Sequence, residues 1–249
     1  MTNEPDRISF DDLVSAIEAK LTAAGASSAV AKVLATNCAT CERDSTLSHG
    51  VFRVAGYLDS LTRGWADGAA EANIDIVGPS YIRIDGRNGF AQPALAEAQP
   101  QIDQALSDTG VAVIALRNTH HFSALWPDLE SFARDGRVAM GMIASGKLAV
   151  VPEGATRLVF STNPFGFATP VADADPIVFD FSTSSMSHGD LQLLRAEGQE
   201  VPVGTGVDST GADTTDPNAI LDGGGIRPIG GHKGALLSFI IETLAAGLT

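Results

Sequence analysis

Cysteine is almost absent from this chain: Cys38 and Cys41 are the only two. That scarcity excludes a disulfide framework. Their C-x-x-C spacing admits a redox or metal reading, but no second Cys pair or Cys/His pair stands at zinc-site spacing. Ala29 to Cys41 reads as a helix, so the two thiols read as small buried side chains and no metal is expected. Basic residues are also scarce, with 16 Lys and Arg against 30 Asp and Glu and a net charge of −14. Nucleic acid and anionic membranes need a basic surface, so neither is an expected partner. An anionic small substrate would need a locally positive pocket. Long hydrophobic runs are missing too. The longest, Ala235 to Thr249, is interrupted by Ser238 and Glu242 and is too short to span a bilayer. Met1 to Asp11 is polar and acidic, without the basic start and apolar run of a signal peptide. The expectation is a soluble, cytoplasmic protein.

What is present is an ordinary core composition, 44% hydrophobic over 249 residues, enough for one large domain or two modest ones. Phe10 to Ala24 reads as an amphipathic helix with Leu13, Ile17 and Leu21 on one face. Ser27 or Ser28 caps a second helix running to about Cys41. Tyr81 to Ile84 alternates like a strand and runs into a turn cluster, Asp85 to Gly89. Pro93 to Leu106 has a helical pattern, Val111 to Leu116 is an apolar strand, and Thr119 to His121 fall on the loop after it. Pro127 to Arg134 is helical. Val138 to Ala144 reads as a strand, with Val159–Phe160 and Ile177 to Phe181 as short strand candidates. Leu236 to Ala246 is an apolar helix, and the chain stops directly after it, which reads as an interruption. Strands alternating with helices predict an α/β fold.

The chemistry-bearing residues fall in three groups. Ser48 to Tyr57, read as a helix ending near Gly64, spaces His49, Arg53 and Tyr57 four residues apart, so each side chain lies about 40° from the last. An imidazole, a cation and a phenol would line one face, while Val51, Val54, Leu58 and Leu61 bury another. The five histidines, His49, His120, His121, His188 and His232, lie in predicted loops or at helix starts rich in Gly, Ser, Thr or Lys, outside apolar runs. Around Asp180 a strand end runs into Ser182, Thr183, Ser184, Ser185 and Ser187. These hydroxyls either hold a pyrophosphate or ribose or merely cap a helix. Gly230-Gly231-His232-Lys233-Gly234 opens a helix and makes a plausible phosphate site from backbone donors, helix dipole and Lys233. No P-loop and no G-x-G-x-x-G fingerprint is present.

Taken in order, S-H-G-V-F-R-V-A-G-Y, D-G-R-N-G-F-A-Q-P-A-L, N-T-H-H-F, S-T-N-P-F-G-F-A-T-P, D-F-S-T-S-S and G-G-H-K-G resemble the type-2 malate/L-lactate dehydrogenase family. That family is unrelated to the Rossmann-type dehydrogenases. H-H-F-S-A-L-W-P-D, S-H-G-D-L-Q and L-D-G-G-G-I-R-P-I-G-G-H-K-G are most similar to its cyclic imino-acid reductase branch. The resemblance implies a large mixed sheet and a non-Rossmann nicotinamide site. It implies a substrate-side domain over 1–120 and a cofactor domain over 121–249. It also implies that relatives continue past the position of Thr249.

By motif position, Asp180, Ser182, Thr183, Ser184, His188, His232, Lys233 and Ser145 would contact the cofactor. NADPH is favoured, with NADH open. Ser48, His49, Arg53, Tyr57 and His121 would form the substrate side, and Asp190 would join the active-site set. Ala144 and Ser161 depart from the family's usual Asn and Gly. The implied reaction is NAD(P)H-dependent reduction of Δ1-piperideine-2-carboxylate or Δ1-pyrroline-2-carboxylate. Arg53 would pair with the carboxylate, with Tyr57 and Ser48 orienting it. His49 is the first candidate acid, supported by Asp190 or Ser48, and His121 the second. The alternatives are a 2-keto-acid reductase or 2-hydroxy-acid dehydrogenase on the same scaffold, and an inactive truncated fragment. A homodimer is the expected assembly.

Overall fold

The computed structural model describes residues 7–247 and Thr249. Residues 1–6 and Leu248, which fall within the expected domain ranges, lie outside the described residues. The chain divides into two compact units, Met1–Ala124 and Leu125–Thr249.

The first unit opens with α1 (Phe10–Ala23) and α2 (Ser28–Arg43). Each starts at a serine whose hydroxyl accepts an otherwise orphaned N–H: Ser9 from Asp12 at 3.1 Å and Ser27 from Val30 at 3.3 Å. Ile17 and Leu21 of α1 pack on Val30, Leu34 and Cys38 of α2. These α2 positions recur every four residues, the spacing that makes one helix face apolar. α3 (Val54–Thr62) adds Val54, Tyr57 and Leu61 to the same core.

β1 (Asn73–Gly78) runs antiparallel to β2 (Tyr81–Phe90), which pairs in parallel with β3 (Val113–His120). Two helices, α4 (Ala91–Glu97) and α5 (Gln99–Thr109), make the crossover that a parallel pair requires. Three expectations are corrected here. The cluster Asp85 to Gly89 does not end its strand. It forms a bulge, with a register shift against β3 and positive φ at Arg87 (50°) and Asn88 (65°). Asp85 holds the bulge by accepting from Arg87 N at 2.9 Å and Asn118 Nδ2 at 3.0 Å. The single helix expected over Pro93 to Leu106 is two, parted at Ala98, because Pro100 in the first turn of α5 has no N–H to continue a helix. Thr119 and His120 belong to β3 rather than to a loop, so only His121 lies past the strand end.

The second unit begins with α6 (Trp126–Arg134). It lies on an antiparallel sheet of β4 (Ala139–Met142), β5 (Pro164–Val171) and β6 (Ala174–Ser182), in that order. Leu129 and Ala133 of α6 pack against Ala168 and Val178. The alternate positions carry an aromatic row on the other face, where Phe167 and Phe179 stack at 5.3 Å.

α7 (His188–Glu197), β7 (Gly206–Val207), β8 (Asp213–Thr214), α8 (Pro217–Leu221), β9 (Gly225–Ile226) and α9 (His232–Ala245) follow. A smaller core joins Leu191, Val201, Ile220 and Ile226. Val159–Phe160 is an isolated bridge, Phe160 to Val150, not a strand. The α/β class holds. In place of one large mixed sheet, the described strands form three three-stranded sheets, and only β1-β2-β3 is mixed. No helix among the described residues is long and apolar enough to cross a membrane.

Candidate active site

In the first unit, Ser48, His49 and Arg53 stand on two 3-10 turns, Leu47–His49 and Val51–Arg53, that precede α3. The expected continuous helix is broken at Gly50, whose backbone (φ −88°, ψ −131°) is not helical. Gly50 lies so close to α2 that a Cβ would collide with Glu42, and the Glu42 carboxylate instead accepts the Val51 N–H at 2.9 Å. His49, Arg53 and Tyr57 therefore do not share one helical face.

The break brings Ser48 and His49 together: Ser48 Oγ lies 2.9 Å from His49 Nδ1, with Ser48 buried and His49 half-buried. That contact fixes the orientation of the ring, with donor and acceptor roles set by the histidine's tautomer. Arg53, half-buried, lies over the Phe52 ring with Cζ 5.5 Å from its centroid. Tyr57 is not on a solvent-facing surface. It is fully buried, edge-on to Phe90 at 5.4 Å and Phe122 at 5.1 Å. Val51, expected in the apolar face, is exposed.

His121 leaves the end of β3 half-buried, and the residues after it are pinned. Phe122 packs on Tyr57, and the Ser123 hydroxyl donates to Asn37 of α2 and lies 3.6 Å from Cys41 Sγ. His120 is committed elsewhere, with Nε2 2.9 Å from Asn88 Oδ1 and its ring 6.0 Å from those of Trp65 and Phe122. Partial burial holds its pKa below the ordinary value, opposed in part by a backbone hydrogen bond at Trp65. Both cysteines are thiols outside any disulfide, and both are fully buried. Burial, with the neighbouring Cys41 second, pushes the Cys38 thiol up to about 12. No group of three or more metal-ligating side chains occurs among the described residues.

In the second unit the expected cofactor residues converge unevenly. The end of β6 is tied to the loop before α9 by the Ser184–Pro228 bridge and by Ile229 N donating to Thr183 O at 2.9 Å. This draws Ser182 to Ser184 towards Gly230–Lys233. Thr183 N also donates to Thr162 O at 2.9 Å, and next to Thr162 the Ser161 hydroxyl donates to Ser145 at 3.0 Å.

Gly230 and Gly231 both have positive φ (57° and 62°), and α9 opens with no side-chain cap. His232 and Lys233 are exposed there. Uncapped N–H groups, a helix dipole and a lysine fit a pyrophosphate. The hydroxyls of this segment are engaged within the fold, Ser182 Oγ donating to Ser184 O at 3.1 Å. Thr183 is fully buried and bonds Ser238 Oγ at 2.7 Å, and Ser184 donates to Met186 O at 2.6 Å. Ser182, half-buried, is the hydroxyl of this group nearer to solvent.

Asp180 faces the α6 side of its sheet, where its carboxylate accepts from Leu125 N (2.6 Å) and Trp126 N (3.2 Å). Asp190 and Ser187 close the start of α7. Ser187 Oγ donates to Asp190 Oδ2 at 2.8 Å and accepts from Asp190 N at 3.0 Å. His188, half-buried, is the first residue of that helix. A cavity of about 280 Å³ lined by Arg157, Asp208 and Gly223 contains none of the expected residues.

The family model described as Malate/L-lactate dehydrogenase matches residues 8–249. The chain belongs to this family. It is 50% identical over 243 residues to the Δ1-pyrroline-2-carboxylate/Δ1-piperideine-2-carboxylate reductase of Pseudomonas putida, covering 98% of this chain and 71% of that protein. The enzyme of the same description from Pseudomonas syringae pv. tomato is 49% identical over 242 residues, covering 97% and 70%. Among solved structures, the Δ1-piperideine-2-carboxylate reductase of Pseudomonas syringae superposes with a TM-score of 0.95 at 48% identity, covering 98% of this chain and 74% of that one.

Among the buried polar residues that the motifs do not single out is Gln92, 5% exposed and the one polar side chain in the apolar run Phe90 to Leu95.

Proposed function

We propose that this family member reduces the C=N bond of Δ1-piperideine-2-carboxylate and Δ1-pyrroline-2-carboxylate, giving the saturated cyclic amino acid. The carrying observation is the 2.9 Å contact between Ser48 Oγ and His49 Nδ1 on the turn that leads to Arg53. It is supported by the description shared by relatives about half identical to this chain.

Arg53 anchors the substrate carboxylate, since a guanidinium matches a carboxylate bidentately. Ser48 orients the His49 ring, and His49 Nε2 supplies the proton to the imine nitrogen. A protonated imine is the better hydride acceptor at its carbon. His121 is the second candidate for the acid, and Asp190 belongs to the same proposed set. A nicotinamide, when bound, supplies the hydride. Ser182, Ser145, His232, Lys233 and the head of α9 would hold its pyrophosphate and ribose. Thr183 and Ser184 support that loop system through bonds within the fold, Asp180 is proposed beside them at the end of β6 while its carboxylate holds the head of α6, and His188 follows in sequence. NADPH is the proposed donor, following the branch resemblance. A homodimer follows the family's pattern, a cytoplasmic location follows the sequence expectation, and both belong to the same proposal.

Relative turnover is the test. Purified protein should show a higher kcat/KM with Δ1-piperideine-2-carboxylate than with pyruvate or oxaloacetate. Faster turnover of the keto acids would overturn the imine reading in favour of a 2-hydroxy-acid dehydrogenase.

A further inference from the structure

Gln92 is 5% exposed, and neither Oε1 nor Nε2 has a hydrogen-bond partner among the described residues. Its neighbours Ala91, Pro93 and Ala94 are buried and apolar. A methionine would fill the same volume without burying two unmet polar atoms, so the amide is retained at a cost in stability. Such a cost calls for a partner beyond the described residues.

The position of Gln92 says what kind of partner. β2 and β3 are parallel neighbours, and Phe90, the last residue of β2, sits opposite His120, the last of β3. Gln92 and His121 therefore leave adjacent carboxyl ends of a parallel strand pair. Open α/β sheets place their ligands just outside such ends. Phe90 and Phe122, which flank Gln92 and His121 in sequence, both pack on Tyr57.

We infer that Gln92 is a substrate-binding residue whose amide takes the polar edge of the cyclic imino acid. Nε2–H donates to a carboxylate oxygen, and Oε1 accepts from the protonated ring nitrogen. A primary amide presents one donor and one acceptor side by side. The N–C–carboxylate edge of a protonated cyclic imine presents the complementary pair. This inference rests on the proposed reading of the chain as a cyclic imino-acid reductase.

Gln92→Met separates the possibilities. The expected result is a thermal midpoint equal to or above the parent's, together with a KM for Δ1-piperideine-2-carboxylate raised roughly tenfold or more. kcat should change less than KM, and NADPH affinity should stay within about twofold. Binding of the saturated product, piperidine-2-carboxylate, followed by thermal shift, should weaken in parallel. Gln92→Asn, which keeps an amide on a shorter stem, provides a second variant should Gln92→Met not fold, and the same loss is expected of it. If KM and product binding of the folded variants match the parent's, the amide holds no more than ordered water and the inference fails while the functional reading stands. A parent that neither turns over the imine nor binds piperidine-2-carboxylate overturns both.

Discussion

Replacing Asp180 by alanine separates two roles that sequence position alone assigns to one carboxylate. Family resemblance makes Asp180 a cofactor contact, but in the structure its Oδ2 accepts the Leu125 and Trp126 N–H groups at the head of α6, at 2.6 and 3.2 Å. Losing a carboxylate that caps a helix start costs about 1–2 kcal/mol, and losing its charge at the positive end of the helix dipole about 0.3–1 kcal/mol more. A total near 2 kcal/mol corresponds to a fall in Tm of roughly 4–8 °C for a chain of this size. Asp180→Asn keeps an acceptor and should lose about half as much.

Both variants should be followed by circular dichroism melts and by NADPH titration using fluorescence. With the carboxylate engaged at α6, the NADPH Kd should change by less than about threefold. A Tm within about 1 °C of the parent, combined with a Kd weakened by about tenfold or more, would refute the capping assignment.

The substrate half of the site makes a paired prediction. Arg53→Ala should raise KM for the carboxylate substrate by roughly ten- to a hundredfold with a smaller change in kcat, whereas His49→Ala should lower kcat by about a hundredfold or more. An unchanged kcat without His49 would move the acid role to His121. Cys38 and Cys41 should resist thiol reagents in the native protein and react once it unfolds, because both are fully buried and Cys38 is held protonated. Labelling at the rate of a free thiol would contradict their packing.

His120 makes a pH prediction. Its folded pKa lies below the ordinary value, so the unfolded chain binds the proton first as pH falls. Stability should drop as pH falls through about 6.5, and His120→Gln should flatten that drop in urea melts taken between about pH 7.5 and about pH 5.5.

Much of the fold is legible in the residues because local chemistry decides it. Ser27 ends in a cap, and the apolar spacing of Val30, Leu34 and Cys38 marks the face of α2 that packs. The cluster Asp85 to Gly89 misled because turn residues also build bulges, and only pairing with β3 distinguishes the two. Gly50 is similar. Its closeness to Glu42 is a tertiary fact, and it turns an apparent helix into two 3-10 turns. The same contact decides what the candidate site looks like. Four-residue spacing suggested a shared helix face for His49 and Tyr57, whereas the structure pairs His49 with Ser48 and sends Tyr57 into the core. Residue types at Asp180, Thr183 and Ser184 carried no sign of whether their polar atoms were spare. Their hydrogen bonds to α6, Ser238 and Met186 do. Gln92 was hidden for the opposite reason, since a motif records a residue but not its unmet amide.

The most direct test of the proposed reaction follows the hydride. Purified protein should be incubated with Δ1-piperideine-2-carboxylate and NADPH carrying deuterium at both nicotinamide C4 positions, and the product analysed by mass spectrometry and NMR. The account predicts piperidine-2-carboxylate carrying deuterium at C2. Unlabelled product, or label recovered only in hydroxy acids when keto acids are supplied in competition, would contradict it.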